Sequence, residues 1–333
     1  MDVNLLALLA FETYAPWLNG LVVLLSIGLV GYGAHVLVES ASRIAKRLGV
    51  SELVIGLTVV AFGTSAPEFA VTIYSAFHGQ GDISVGNIVG SNIFNLGFIL
   101  GGSALVAAIP TSRKLLYRDG SVLIASTVLI FLLVGLDLRL TRGDGALLFG
   151  LLILYLYFLF RDRHVSAEEK AAAEGADMPP TLVRDSILLV LGLVGIVGGA
   201  HVMVESASAL ARSMGLSDWV IAVTIVAAGT SAPEFATSLA GVLKGRYEIS
   251  AGNLIGSDIF NLLGVLGLAG LMQDMQIAEA ARMSLLALCG MVVLVLVFVR
   301  TGWKISRLEG GVLVLIALLR WVFDFAQQGP PAP

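Results

Sequence analysis

Residues Ala61–Ala70 read AFGTSAPEFA, and residues Ala227–Ala236 read AAGTSAPEFA. The likeness extends outward at one constant offset. Upstream, GAHVLVESAS from Gly33 returns as GAHVMVESAS from Gly199; downstream, GNIVGSNIFNL from Gly86 returns as GNLIGSDIFNL from Gly252. Long matches held in register without a gap indicate that the chain is two copies of one unit.

Composition says where those copies reside. Of 333 residues, 57% are hydrophobic and 13% charged, against about 25% charged in soluble domains, and the mean hydropathy is +0.92. Apolar runs near the ~20 residues that cross a hydrocarbon core recur along almost the whole chain. They predict about ten transmembrane helices, at Leu18–Arg47, Leu53–Gly79, Ile83–Ile109, Ser121–Leu136, Gly145–Phe160, Ile187–Met214, Trp219–Leu243, Ile249–Leu271, Ala281–Phe298 and Leu308–Phe325. The expected fold is an all-α membrane protein. It divides into an N-terminal interfacial segment (1–17), a first five-helix repeat (18–161), a cytoplasmic linker (162–184), a second five-helix repeat (185–327) and a C-terminal tail (328–333). The opening stretch contains Asp2 and lacks a basic start, unlike a signal peptide. Cys289, the one cysteine, lies in an apolar run and reads as packing. A net charge of −4 without a basic face gives no sign of a nucleic-acid partner.

An odd number of spans per copy makes the second copy enter the membrane from the opposite side, giving two inverted repeats. Charge placement agrees. With the N-terminus outside, Arg43, Lys46, Arg47, Arg113, Lys114, Arg118, Lys244 and Arg246 fall among the inner loops, whereas Arg139, Arg142, Arg212, Arg282 and Arg320 fall outside. Over all loops the inner excess is roughly three to one, as the positive-inside rule requires. The expectation is a multi-pass protein of the cell (inner) membrane with both termini outside.

The chemistry lies in the repeated motif. A carboxylate at membrane depth costs about 2.5–3.5 kcal/mol on insertion scales, so Glu68 and Glu234 need a reason to be there. Pro67 and Pro233 each precede a glutamate and remove a helix hydrogen bond, so both helices should break about one turn before the carboxylate. Thr64 and Ser65 share a helix face with Glu68, and Thr230 and Ser231 share one with Glu234. Ser91 and Asn95 are four apart on the next span, as are Ser257 and Asn261, so each pair presents a hydroxyl and an amide together. Glycine, proline and hydroxyl residues alone often serve only helix packing. Their recurrence beside an intramembrane glutamate in both copies points instead to an oxygen-only cation cage with two formal negative charges. Ca2+ takes six to eight oxygens, often from carboxylates, and Mg2+ demands a tighter octahedron. Na+ also accepts oxygen ligands.

His35 with Glu39, and His201 with Glu205, also stand four apart. Local pairing of Glu39 with His35 or Arg43 accounts for them, and the small residues Gly33, Ala34, Ser40 and Ser42 suggest a packing or sliding surface. Asp82 and Glu248 are expected to be solvated loop carboxylates.

At these residues the chain resembles the cation/calcium exchanger superfamily, specifically the prokaryotic Na+/Ca2+ exchangers, whose two alpha-repeats look like Gly56–Gly101 and Ala222–Gly267. The resemblance implies ten helices, with the ion sites on the second, third, seventh and eighth. It implies that Glu68 and Glu234 are shared carboxylates and that Thr64 and Thr230 offer backbone oxygen to Ca2+. Ser65, Ser91, Ser231 and Ser257, with the carbonyls of Ala61 and Ala227, would line flanking Na+ sites; Asn95 and Asn261 would complete the centre. Some relatives, notably the K+-dependent branch, carry aspartate where this chain has Asn261. Asp258 departs from repeat symmetry with Asn92.

The expected function is K+-independent exchange of Na+ for Ca2+ by alternating access. The partners are then the two ions and the lipid bilayer, with no cofactor, no enzymatic activity and no obligate protein partner. A Ca2+/H+ antiporter on the same scaffold is the alternative. An intramembrane hydrolase lacks its HExxH or GxSxG motif, and a passive channel fits a fused repeat poorly.

Overall fold

A computed structural model describes residues 15–161, 181–215 and 227–327. Residues 1–14 of the expected interfacial segment, the expected tail, most of the linker and the start of the seventh expected span lie outside these residues; Pro16 and Trp17, expected in the interfacial segment, and residues 182–184, expected in the linker, instead belong to helices. The described chain is almost wholly helical, and seven of its helices are long and apolar enough to cross a membrane, or eight if one bent pair counts as a span. At the seventh and tenth expected spans the described residues hold helices that are not among these candidates: Ala227–Thr230 with Ala232–Leu243, which cover that span only in part, and Arg307–Gln327, whose sequence includes Arg307, Glu309, Arg320 and Asp324.

The first half opens with α1 (Pro16–Leu48), which starts with a proline in its first turn, where no N–H is needed, and ends at Gly49 in the left-handed conformation. Its 33 residues give a helix of about 50 Å, longer than the ~30 Å hydrocarbon layer, so it must tilt or project. Next come α2 (Glu52–Thr64) and α3 (Ala66–Phe77), bent by 52°, then α4 (Gly81–Val106), α5 (Leu115–Val134) and α6 (Arg142–Arg161). The second half contains α7 (Leu182–Ser213), α8 (Ala227–Thr230) and α9 (Ala232–Leu243), followed by α10 (Tyr247–Met272), α11 (Ala280–Arg300) and α12 (Arg307–Gln327). Thr181 caps α7 by accepting from the Arg184 N–H at 3.3 Å.

α4 and α10 are the most buried spans and form the centre of the molecule. Each contains a π-helical stretch, Asn95–Leu100 in α4 and Phe260–Val265 in α10, and such wide turns recur at functional sites. Two short strand pairs tie the halves together. β1 (Ile109–Pro110) pairs with β4 (Lys304–Ile305), and β2 (Arg139–Leu140) pairs with β3 (Met275–Gln276), both antiparallel.

α1 and α7 pack together along their length. They cross where Gly33 and Gly192 leave no room for a side chain, since a Cβ on either would lie 2.9 Å from the other's carbonyl oxygen. This agrees with Gly33 as part of a close packing surface. At one end of the pair, Arg43 and Arg47 both donate to buried Asp185, at 2.7 and 3.1 Å. Glu39 accepts from Arg43 at 3.1 Å, the local pair expected from sequence, and also from Lys244 at 2.7 Å, which ties α1 to the end of α9.

Asp82 and Glu248 are not merely solvated. Asp82 accepts from the backbone N–H of Ala278, and Glu248 accepts from that of Leu53 at 3.3 Å, so each satisfies a backbone donor of the other half. Spacing within one repeat gives no sign of this, because both partners lie nearly two hundred residues away.

Candidate functional site

The helix breaks fall at Ser65 (φ −78°, ψ 9°) and Ser231 (φ −90°, ψ 8°), three residues before each glutamate, with proline in the first turn of the helix that follows. Proline is tolerated there because first-turn N–H groups have no partner within the helix. Glu68 and Glu234 therefore stand in the first turns of α3 and α9, where the positive end of the helix dipole favours a carboxylate.

The two carboxylates are 1% and 0% exposed, and each is held from the opposite half. The Ser65 hydroxyl donates to Glu234 Oε1 at 3.0 Å, and the Ser231 hydroxyl donates to Glu68 Oε1 at 3.0 Å. Ser91 also faces Glu68, and Thr64 and Ser257 face Glu234. The remaining oxygens, Glu68 Oε2 and Glu234 Oε2, are buried without a hydrogen-bond partner among the described residues. Buried polar atoms are nearly always satisfied, so two matched exceptions on carboxylates suit ligands of a cation.

Thr64 is buried and donates to Asn253 Oδ1 at 3.0 Å, while Thr230 is half-buried at the end of α8. The Ala61 carbonyl accepts from the Ser65 N–H at 3.1 Å and from the Ser257 hydroxyl at 3.4 Å. Ala227 opens α8. Asn95 and Asn261 are buried one turn beyond Ser91 and Ser257, and the side-chain oxygen of each is also without a partner among the described residues.

Four further residues belong to this cluster. Asn87 donates to the Glu68 carbonyl at 3.2 Å and to the Thr72 hydroxyl at 3.0 Å. Asn253 does the same in the second repeat, toward the Glu234 carbonyl at 3.5 Å and Ser238 at 3.1 Å. These asparagines of the two GN pairs hold the carbonyls of the glutamates from α4 and α10. Asn92 and Asp258, also equivalent in the repeats, bridge the halves: Asn92 donates to the Asp258 carbonyl at 3.2 Å, and Asn95 donates to Asp258 Oδ1 at 3.0 Å. The repeated GN and GS(N/D) residues were the available sign; helix-face spacing from the glutamates does not reach them. Among the described residues, His35 joins a different cluster, 3.3 Å from Lys244.

The helices and this buried oxygen cluster define a multi-pass membrane protein with an oxygen-lined centre. The chain belongs to the sodium/calcium exchanger family: the family profile, sodium/calcium exchanger protein, matches residues 18–161 and 186–325. It is 34% identical over 339 residues to the sodium/calcium exchanger MaX1 of Methanosarcina acetivorans, covering 89% of this chain and 95% of that protein. It is 33% identical to the inner membrane protein YrbG of Escherichia coli, covering 90% of this chain and 96% of YrbG. Among solved structures it is similar to the sodium-calcium exchanger NCX_Mj soaked without Na+ and Ca2+, with a TM-score of 0.81 at 30% identity, covering 92% of this chain and 98% of that one.

Proposed function

We propose that this protein exchanges Na+ for Ca2+ across the membrane by alternating access, without K+. The observation that carries the reading is the pair Glu68 and Glu234: fully buried, at matched helix breaks, each with one oxygen bound by the other half's serine and one oxygen unpartnered among the described residues. One Ca2+ or two Na+ balance two carboxylates, and all the candidate ligands are oxygens, as both ions prefer. In the proposed roles, Glu68 and Glu234 are shared carboxylates and Thr64 and Thr230 contribute oxygen to Ca2+. Ser65, Ser91, Ser231, Ser257 and the carbonyls of Ala61 and Ala227 serve Na+, with Asn95 and Asn261 at the centre. An unoccupied pair of buried charges resists passage through the apolar barrier, so the two access states interconvert readily only when loaded.

K+-independence rests on Asn261. Its amide nitrogen donates to Asn92 Oδ1 at 3.1 Å, so it adds an oxygen to the centre and no charge. The test is Ca2+ uptake into proteoliposomes driven by an outward Na+ gradient, with all K+ replaced by choline, for the parent and for Asn261→Asp. The parent is expected to keep its rate within about twofold, because no charge at Asn261 awaits a K+. A parent that stops when K+ is withdrawn refutes this part of the reading.

A further inference from the structure

We propose that Asp258 is a third ion-binding carboxylate, seating a monovalent cation together with Asn95 in the buried cluster between α4 and α10. The inference rests on the exchange reading above and adds to it a residue and an ion class.

Asp258 stands where the first repeat has Asn92, so duplication alone does not account for its charge. It is 0% exposed, lies within electrostatic reach of Glu234 and makes no ion pair with a described residue. Its visible packing role needs no charge. Asp258 Oδ1 holds the Asn95 amide nitrogen at 3.0 Å, and Asn92 Oδ1, a neutral oxygen, holds the Asn261 amide nitrogen at 3.1 Å in the same manner. Each tie occupies the donor end of a central asparagine and leaves its oxygen without a partner among the described residues.

What remains is a buried carboxyl with Oδ2 unpartnered among the described residues, tied through Oδ1 to Asn95, whose own side-chain oxygen is also unpartnered among them. A buried charge lacking its counterpart is strongly destabilising, and a bound cation relieves it. One added carboxylate balances one added positive charge. A second Ca2+ calls for six to eight oxygens and more negative charge than this corner supplies. Na+ is the monovalent ion that the exchange reading brings to the site.

Asp258→Asn separates charge from positioning, because the amide oxygen still accepts from Asn95. The thermal unfolding midpoint of the purified full-length protein is titrated with NaCl, KCl and CaCl2, with choline chloride holding ionic strength constant. In Asp258→Asn the half-saturating Na+ is expected to rise about tenfold, and half-saturating Ca2+ to change less than about threefold. The Na+ dependence of Ca2+ uptake should also become less steep. Asp258→Ser, which likewise removes the charge, is expected to show the same shift and serves if the amide variant does not fold. An unchanged Na+ midpoint in a charge-removing variant overturns the proposal and leaves Asp258 as a positioning residue. A shift confined to the KCl series, with the Na+ midpoint unchanged, overturns the assignment to Na+ and also contradicts the K+-independence proposed above. A parent that responds to neither Na+ nor Ca2+ contradicts the exchange reading itself, a result distinct from any difference between parent and variant.

Discussion

Glu68→Gln and Glu234→Gln are each expected to reduce Ca2+ exchange by at least about a hundredfold while leaving the protein folded, because each removes a ligand charge at nearly constant shape. Glutamine keeps an oxygen to accept from the opposite serine, so the 3.0 Å contacts from Ser231 to Glu68 and from Ser65 to Glu234 need not be lost. On the proposed function, what disappears is one of the two glutamate charges that balance a divalent ion. A loss of about 2.7 kcal/mol of differential binding already corresponds to a hundredfold, and charge-assisted contacts in low dielectric are the strong ones. The checks are radiolabelled Ca2+ exchange in proteoliposomes and thermal unfolding of the purified variants. Near-parental exchange by either variant would show that its glutamate only packs.

Gly33→Leu is expected to lower turnover by more than about tenfold, since inserting a side chain into a tight contact forces its neighbours apart. A Cβ at Gly33 would lie 2.9 Å from the Gly192 carbonyl oxygen and 3.1 Å from Ile196 Cγ1. Backbone cannot give way there as a flexible side chain would, so α1 and α7 must separate or tilt. If this pair is the element that moves between access states, the damage falls on the rate of exchange. Ca2+-dependent thermal stabilisation should persist, because Glu68 and Glu234 lie on other helices. Gly28→Leu is the control: it lies on the same helix, and a Cβ there would meet nothing within 4 Å. Equal transport by Gly33→Leu and Gly28→Leu would show that the close crossing is unimportant for turnover.

Much of this architecture was legible because duplication repeats each signal. A single GTSAPE motif is ambiguous; two at a constant offset identify equivalent helix breaks, and proline chemistry places those breaks at Ser65 and Ser231. Helix-face spacing placed Ser65 beside Glu68 and Ser231 beside Glu234, but the breaks at these serines interrupt the helix face, and each hydroxyl turns to the glutamate of the other half. That each serine reaches the other half's glutamate was not legible, because it depends on how two distant helices cross. The same limit hid the Asn92–Asn261 and Asn95–Asp258 ties and the contacts of Asp82 and Glu248 with remote backbone N–H groups. Lys244 read as a loop cation, yet it reaches Glu39 on α1 at 2.7 Å. Hydropathy gave the spans more readily than their number: a broken helix such as α2 with α3 divides one apolar run, and the charged residues of Arg307–Gln327 weaken another.

The most direct measurement of the central claim is radiolabelled Ca2+ uptake by proteoliposomes containing the purified protein, under an outward Na+ gradient, under a pH gradient without Na+, and with no gradient. Exchange of Na+ for Ca2+ predicts uptake that follows the Na+ gradient, stays at the no-gradient level under the pH gradient, and is lost in Glu68→Gln. Uptake driven equally well by the pH gradient in the absence of Na+ would contradict the account and assign the coupling to protons.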